Sequence, residues 1–100
     1  MPTDSDKRKY ERKELTAEAA LEFSSGKYDT RVSEIGLGGC YVDSIASVVE
    51  GEAIALTISS SGESQRFTGE IAYVLPNFGF GIRFTELTEE NIAFLHKIID

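Results

Sequence analysis

The chain has no tryptophan, one cysteine, one histidine and two prolines in 100 residues. Each scarcity removes a class of protein. The lone Cys40 allows no internal disulfide, so the domain is not a disulfide-stapled scaffold and suits a reducing compartment. One His and one Cys, without carboxylates clustered at ligand spacing, give no zinc site. The same shortage argues against an enzyme, because nothing assembles a nucleophile, a base and a group to orient them. His96 falls near the end of a helical pattern, where a cation complements the dipole. Cys40 stands among apolar neighbours and reads as a buried thiol. No apolar run approaches the ~20 residues of a membrane helix. The opening MPTDSDKRKY lacks the apolar core of a signal peptide. The expectation is a soluble, cytoplasmic, non-catalytic domain with no cofactor and no membrane insertion.

What is present is globular. The apolar fraction is 41% and ten residues are aromatic, enough for one modest core and therefore one domain. Net charge is −7, but it is unevenly spread. Five of the ten basic residues lie in Lys7-Arg8-Lys9-Tyr10-Glu11-Arg12-Lys13, which carries +4 and leaves −11 for the remainder. An acidic surface repels nucleic-acid backbone and anionic membrane, and no strand interleaves basic with aromatic residues, so nucleic acid is not an expected partner. A compact anion meeting one basic arm remains compatible with this balance.

The hydropathy pattern changes after residue 13. Residues 1–13 show no apolar period and read as a flexible basic arm; residues 14–100 read as the folded domain. Leu15, Ala17, Ala19, Leu21 and Phe23 alternate with mostly polar neighbours, the period of a half-buried strand. Ser24-Ser25-Gly26-Lys27 supplies a turn, and Tyr28 to Ile35 a second strand. Gly36-Leu37-Gly38-Gly39 interrupts it before Cys40-Tyr41-Val42 resumes. Further strands are expected from Ala53 to Ile58, Arg66 to Leu75 and Gly79 to Phe84, separated by turns at Glu50-Gly51-Glu52, Ser59 to Glu63 and Pro76-Asn77-Phe78. Short strands at this spacing predict an antiparallel barrel or sandwich, and closure favours the barrel because it removes exposed edges. From about residue 88 the period becomes helical. Thr88 serves as cap, Glu89 and Glu90 occupy the first turn, and Ile92, Leu95 and Ile99, with Phe94 and Ile98 beside them, form the apolar stripe. The fold class is all-β with a terminal helix that closes one side of a six-stranded barrel.

Two short segments bear on function. Arg8 and Arg12 are four residues apart, so their guanidinium groups share one side of the chain, at ~13 Å if extended or ~6 Å if helical. Arginine can hold phosphate bidentately and also stack on a flat base, so such a pair suits a ligand with two phosphates and planar rings. A solvated charged tail is the plainer alternative. Glu34-Ile35-Gly36-Leu37-Gly38-Gly39 ends the second strand, and three glycines in four residues let a ligand approach the backbone closely. Polar Glu34, with Arg31 and Ser33 nearby, stands ready to read a base edge. Gly79-Phe80-Gly81 is not a dinucleotide loop, since no helix follows it; its expected role is to let Phe80 and Phe84 pack at a bend.

Together these segments resemble the PilZ domain, a bacterial receptor for the second messenger cyclic di-GMP, from Arg8 to the C-terminus. That family's pattern is an RxxxR arm, a strand, a DxSxxG loop, a six-stranded barrel and a closing helix. Arg8 and Arg12 match the arm. Glu34 to Gly39 is similar to the loop, and Gly79-Phe80-Gly81-Ile82-Arg83-Phe84 is similar to the last strand. The resemblance implies that Arg8 and Arg12 hold phosphates and stack on guanine, that Glu34 reads a guanine edge, and that Gly36 and Gly39 give backbone clearance. It also implies an arm that orders on ligand binding and signals to a protein partner in signalling or motility. Two positions depart from the pattern: Glu34 stands where the family has Asp, and Gly36, which has no hydroxyl, where it has Ser. The alternative is therefore an adaptor of the same fold that no longer binds cyclic di-GMP and acts by protein–protein contact.

Overall fold

The alternation along the chain resolves into six antiparallel strands and one helix. The computed structural model describes residues 13–23 and 26–99, with side chains of the first strand described from Ala17 onward. The elements are β1 (Lys13–Phe23), β2 (Gly26–Ile35), β3 (Gly39–Asp43), β4 (Ala53–Ser60), β5 (Glu63–Leu75), β6 (Gly79–Phe84) and α1 (Glu89–Ile99). The strands close in the order β1-β2-β3-β6-β5-β4, so two three-stranded meanders join at the β3–β6 and β1–β4 seams. Closure leaves no unpaired edge.

Away from the irregularities of β2 and β5, the strands contribute every second residue to the interior. Ala17, Ala19 and Leu21 enter from β1, Cys40 and Val42 from β3, and Ile54, Leu56 and Ile58 from β4. Phe67 and Ile71 enter from β5, and Phe80, Ile82 and Phe84 from β6. The rings of Phe67 and Phe84 stack at 4.7 Å, and Phe94 of α1 meets Phe67 at 6.0 Å, which seats the helix on the barrel. Cys40 is fully buried, as its apolar neighbours predicted.

The helix differs from its predicted stripe at one position. Phe94 and Leu95 are buried and Ile98 and Ile99 pack partly against the core, but Ile92 is exposed and Asn91 takes the inward place. Asn91 is there because it satisfies the helix start. Its backbone N donates to Thr88 Oγ1 at 3.0 Å, while its Oδ1 accepts from the Thr88 N at 3.1 Å, a reciprocal capping pair. Its amide nitrogen donates to Gln65 Oε1 at 2.6 Å and to the Arg66 carbonyl at 3.0 Å, tying the cap to β5. Hydropathy alone ranks Ile92 above Asn91; hydrogen bonding reverses the order.

The barrel has two distinct ends. At one stand the start of β1, the β2–β3 loop and the beginning of α1, since Lys13 pairs with Ile35 and the Phe84 N donates to the Gly38 carbonyl at 3.0 Å. At the other, the β3–β4 connection meets the β5–β6 turn through Ser44 N donating to the Phe78 carbonyl at 3.3 Å.

Candidate functional site

The β2–β3 loop is held by its own backbone. Gly36 N donates to the Gly39 carbonyl at 2.9 Å, so residues 36–39 form a tight reversal at the rim. Gly39 lies in β3 opposite Arg83, and a Cβ there would overlap the Ile82 carbonyl oxygen. The glycine is thus required for β3 to approach β6, whatever it offers a ligand.

Two irregularities decide what the outer face displays. Val32 pairs with Val42 and Glu34 with Tyr41, so β2 carries one extra residue at Ser33. Ile71 pairs with Ile82 and Tyr73 with Gly81, so β5 carries one extra residue at Ala72. A bulge of this kind reverses the alternation beyond it. Without the first, Glu34 would follow Val32 into the core; with it, Glu34 faces outward beside Tyr41. Without the second, Tyr73 would follow Ile71 inward.

The result is a row across four strands: Glu34 on β2, Tyr41 on β3, Gly81 on β6 and Tyr73 on β5. The two tyrosine rings lean together over Gly81, with centroids 6.3 Å apart and planes 22° from parallel. A Cβ on Gly81 would stand 2.5 Å from Tyr73 Cζ, and one on Gly79 would stand 2.7 Å from the Tyr41 hydroxyl. The glycines of Gly79-Phe80-Gly81 are therefore a bed for outward rings as well as a bend for the buried Phe80 and Phe84. Burial, and next the charge of Asp43, push the Tyr41 phenol above its ordinary value, so it stays neutral and able to donate.

One step along the same face, a cleft of about 650 Å³ opens between the glycine loop, Tyr73, Arg83 and the start of α1, where Leu87 and Ile92 form an apolar wall. Exposed Ile92 thus has a place, on the cleft rather than in the core. A second depression, about 630 Å³, lies over β1 to β4 and is edged by Glu18, Asp29 and Asp43 against Arg31. Its surplus of carboxylates makes it unsuited to an anion.

Of the residues the sequence pointed to, Glu34, Gly36 and Gly39 are brought together at the rim. Arg8 and Arg12 lie outside the described residues, but their segment joins the barrel at Lys13, opposite Ile35 and next to the glycine loop. Sequence reasoning missed Tyr41, Tyr73 and Arg83. Their signal was present as alternation on β3 and β6, but the bulge at Ala72 hid the face of Tyr73.

The chain matches the PilZ domain over residues 6–100. No curated protein matches it in sequence. Among solved structures, the PilZ domain of Escherichia coli YcgR with c-di-GMP is 16% identical with a TM-score of 0.74, covering 93% of this chain and 88% of that one. Borreliella burgdorferi PlzA in complex with c-di-GMP is 19% identical with a TM-score of 0.70, covering 97% of this chain and 43% of that one. The Bacillus subtilis inhibitor of motility (MotI/DgrA) is 16% identical with a TM-score of 0.68, covering 92% and 48% respectively. The chain thus spans less than half the length of the last two, and at these identities the likeness is one of fold. Barrel order, closing helix, glycine loop and the match over nearly the whole length lead to one conclusion: the chain belongs to the PilZ domain family.

Proposed function

We propose that this chain is a cytoplasmic receptor for cyclic di-GMP, a binding module and not an enzyme. The observation that carries the reading is the outward Glu34 beside the Tyr41–Tyr73 pair, at the rim where the Arg8–Arg12 segment joins β1. Two fold neighbours solved with c-di-GMP lend support. Glu34 accepts from the N1–H and exocyclic amine of guanine. Gly36 and Gly39 let the base ring close on the loop backbone. Tyr73 and Tyr41 offer a flat surface for stacking, an interaction of about 1–3 kcal/mol per base in single-stranded nucleic-acid sites. Arg8 and Arg12 clamp the two phosphates and stack on the outer guanine. Ligand charge thereby pins the arm to the barrel and makes a surface for a protein partner in signalling or motility.

Calorimetric titration with cyclic di-GMP at moderate salt tests this directly. Binding is expected, with Arg8→Ala/Arg12→Ala abolishing it; no heat at high micromolar ligand refutes the reading.

A second reading rests on Gly36, whose missing hydroxyl removes a hydrogen bond, and on the far end of the barrel. There Ile45 and Phe78 are 87% and 72% exposed on segments joined by the Ser44–Phe78 bond. On this reading the domain is an adaptor, and partner capture would be unchanged in Arg8→Ala/Arg12→Ala and lost in Ile45→Asp/Phe78→Asp.

A further inference from the structure

Among the described residues the cleft holds one charged side chain, and it is a cation outside both short motifs. Arg83 points outward from β6 between Gly39 on β3 and Glu70 on β5. Because Gly39 has no side chain, the guanidinium is unobstructed toward the loop; Tyr73 flanks it within the same cleft. Its Nη2 pairs with Glu70 Oε1 at 3.0 Å, with the two side chains 59% and 35% exposed. A pair this wet is weakly held and easily exchanged for a better anion. Two further ion pairs, Arg66 with Glu22 and Lys97 with Glu63, lie away from the cleft.

We propose that Arg83 is a third phosphate-binding group of the site and that Glu70 is its built-in competitor. A phosphate oxygen seated over Gly39 takes the guanidinium N–H now given to Glu70, and Glu70 turns out to solvent. Stacking on Tyr73 and this contact act on one ligand, because both groups border the same 650 Å³ cleft. Glu70 thus sets a threshold: the pair is neutral as it stands, and only an anion that also gains from stacking displaces the carboxylate. This inference rests on the cyclic di-GMP reading above and adds a residue to it.

The test is a calorimetric double-mutant cycle on the full chain with cyclic di-GMP. Arg83→Gln should weaken binding about tenfold, the scale of one charge-assisted hydrogen bond less the competing pair. Glu70→Gln should tighten it about two- to fivefold, the scale of an exposed ion pair. That gain should vanish in the Arg83→Gln background, which separates competition for Arg83 from a general loss of negative charge. Lys97→Gln, which removes from α1 the same unit of positive charge as Arg83→Gln, should leave affinity within about twofold. Arg83 is exposed, so unfolding temperatures near that of the wild type are expected and will be measured alongside. If the wild type binds and Arg83→Gln binds equally well, or if the Glu70→Gln gain survives without Arg83, this inference is wrong and the receptor reading stands. A wild type that does not bind overturns both.

Discussion

Two glycines on neighbouring strands should respond unequally to the same added methyl group. At Gly39 the Cβ meets backbone: it overlaps the Ile82 carbonyl oxygen and stands 3.1 Å from the Ile82 carbonyl carbon and 3.2 Å from the Arg83 Cα. Backbone in a closed barrel cannot step aside, so β3 and β6 must part. Gly39→Ala therefore incurs overpacking of about 1–3 kcal/mol. It also weakens adjoining ladder bonds, such as Phe84 N to the Gly38 carbonyl, at about 1 kcal/mol each. The total is about 3 kcal/mol, or roughly 10–20 °C in unfolding temperature for a domain of this size. At Gly81 the Cβ meets the far end of the Tyr73 ring, at 2.5 Å from Cζ, which can swing away. Gly81→Ala forfeits the ring pair, about 0.5–1.5 kcal/mol. It recovers about 0.4–1 kcal/mol from the reduced freedom of the unfolded chain. Its net cost is about 1 kcal/mol or less, while the platform for a base is spoiled. Differential scanning calorimetry measures the first quantity and ligand titration the second. The chain has no tryptophan, so near-ultraviolet spectra report the tyrosines directly. Equal falls in unfolding temperature for the two variants, or Gly81→Ala retaining full ligand affinity, would refute the reasoning.

Restoring the family's residues with Glu34→Asp/Gly36→Ser should tighten cyclic di-GMP binding by about ten- to hundredfold, since each change recovers about 1 kcal/mol of hydrogen bonding; titration of the double variant checks this. Asn91→Leu keeps the branched shape but removes the acceptor of the Thr88 N–H and leaves Gln65 and the Arg66 carbonyl without their donor, so it should cost about 2–3 kcal/mol by chemical denaturation despite greater hydrophobicity. The Tyr41 phenol is raised first by burial and then by the charge of Asp43 above its ordinary 10.0, so the native state keeps a proton that the unfolded chain releases. Its stabilising contribution is therefore full below pH 10 and is lost as pH rises through the folded-state value. Absorbance at the tyrosinate band should carry a late-titrating step, and Tyr41→Phe should remove it.

Much of the barrel was legible because it is half-buried: Ala17, Ala19 and Leu21 face inward as the period of two required, and the turns at Gly51 and Gly62 fall where φ is +89° and +81°. The glycine loop was legible because three glycines in four residues have few other uses. The outer face was less so. A single extra residue at Ser33 or Ala72 exchanges inside for outside beyond it, and nothing in the hydropathy of Val32-Ser33-Glu34 or Ile71-Ala72-Tyr73 marks where that happens. The tyrosine pair also depends on strands that are distant in sequence and meet only through β6. Asn91 was hidden for another reason, since its two bonds to Gln65 and Arg66 exist only once β5 lies against the helix start.

The strand that closes the barrel is also the one that carries the basic segment. β1 is bonded to β2 along nearly its whole length and to β4 over Glu18–Glu22. A tug on the segment ahead of Lys13 therefore runs parallel to two ladders and loads their bonds together in shear, rather than peeling them one by one. Whatever grips that segment can pull hard on it while the sheet behind stays zipped, which makes it a handle.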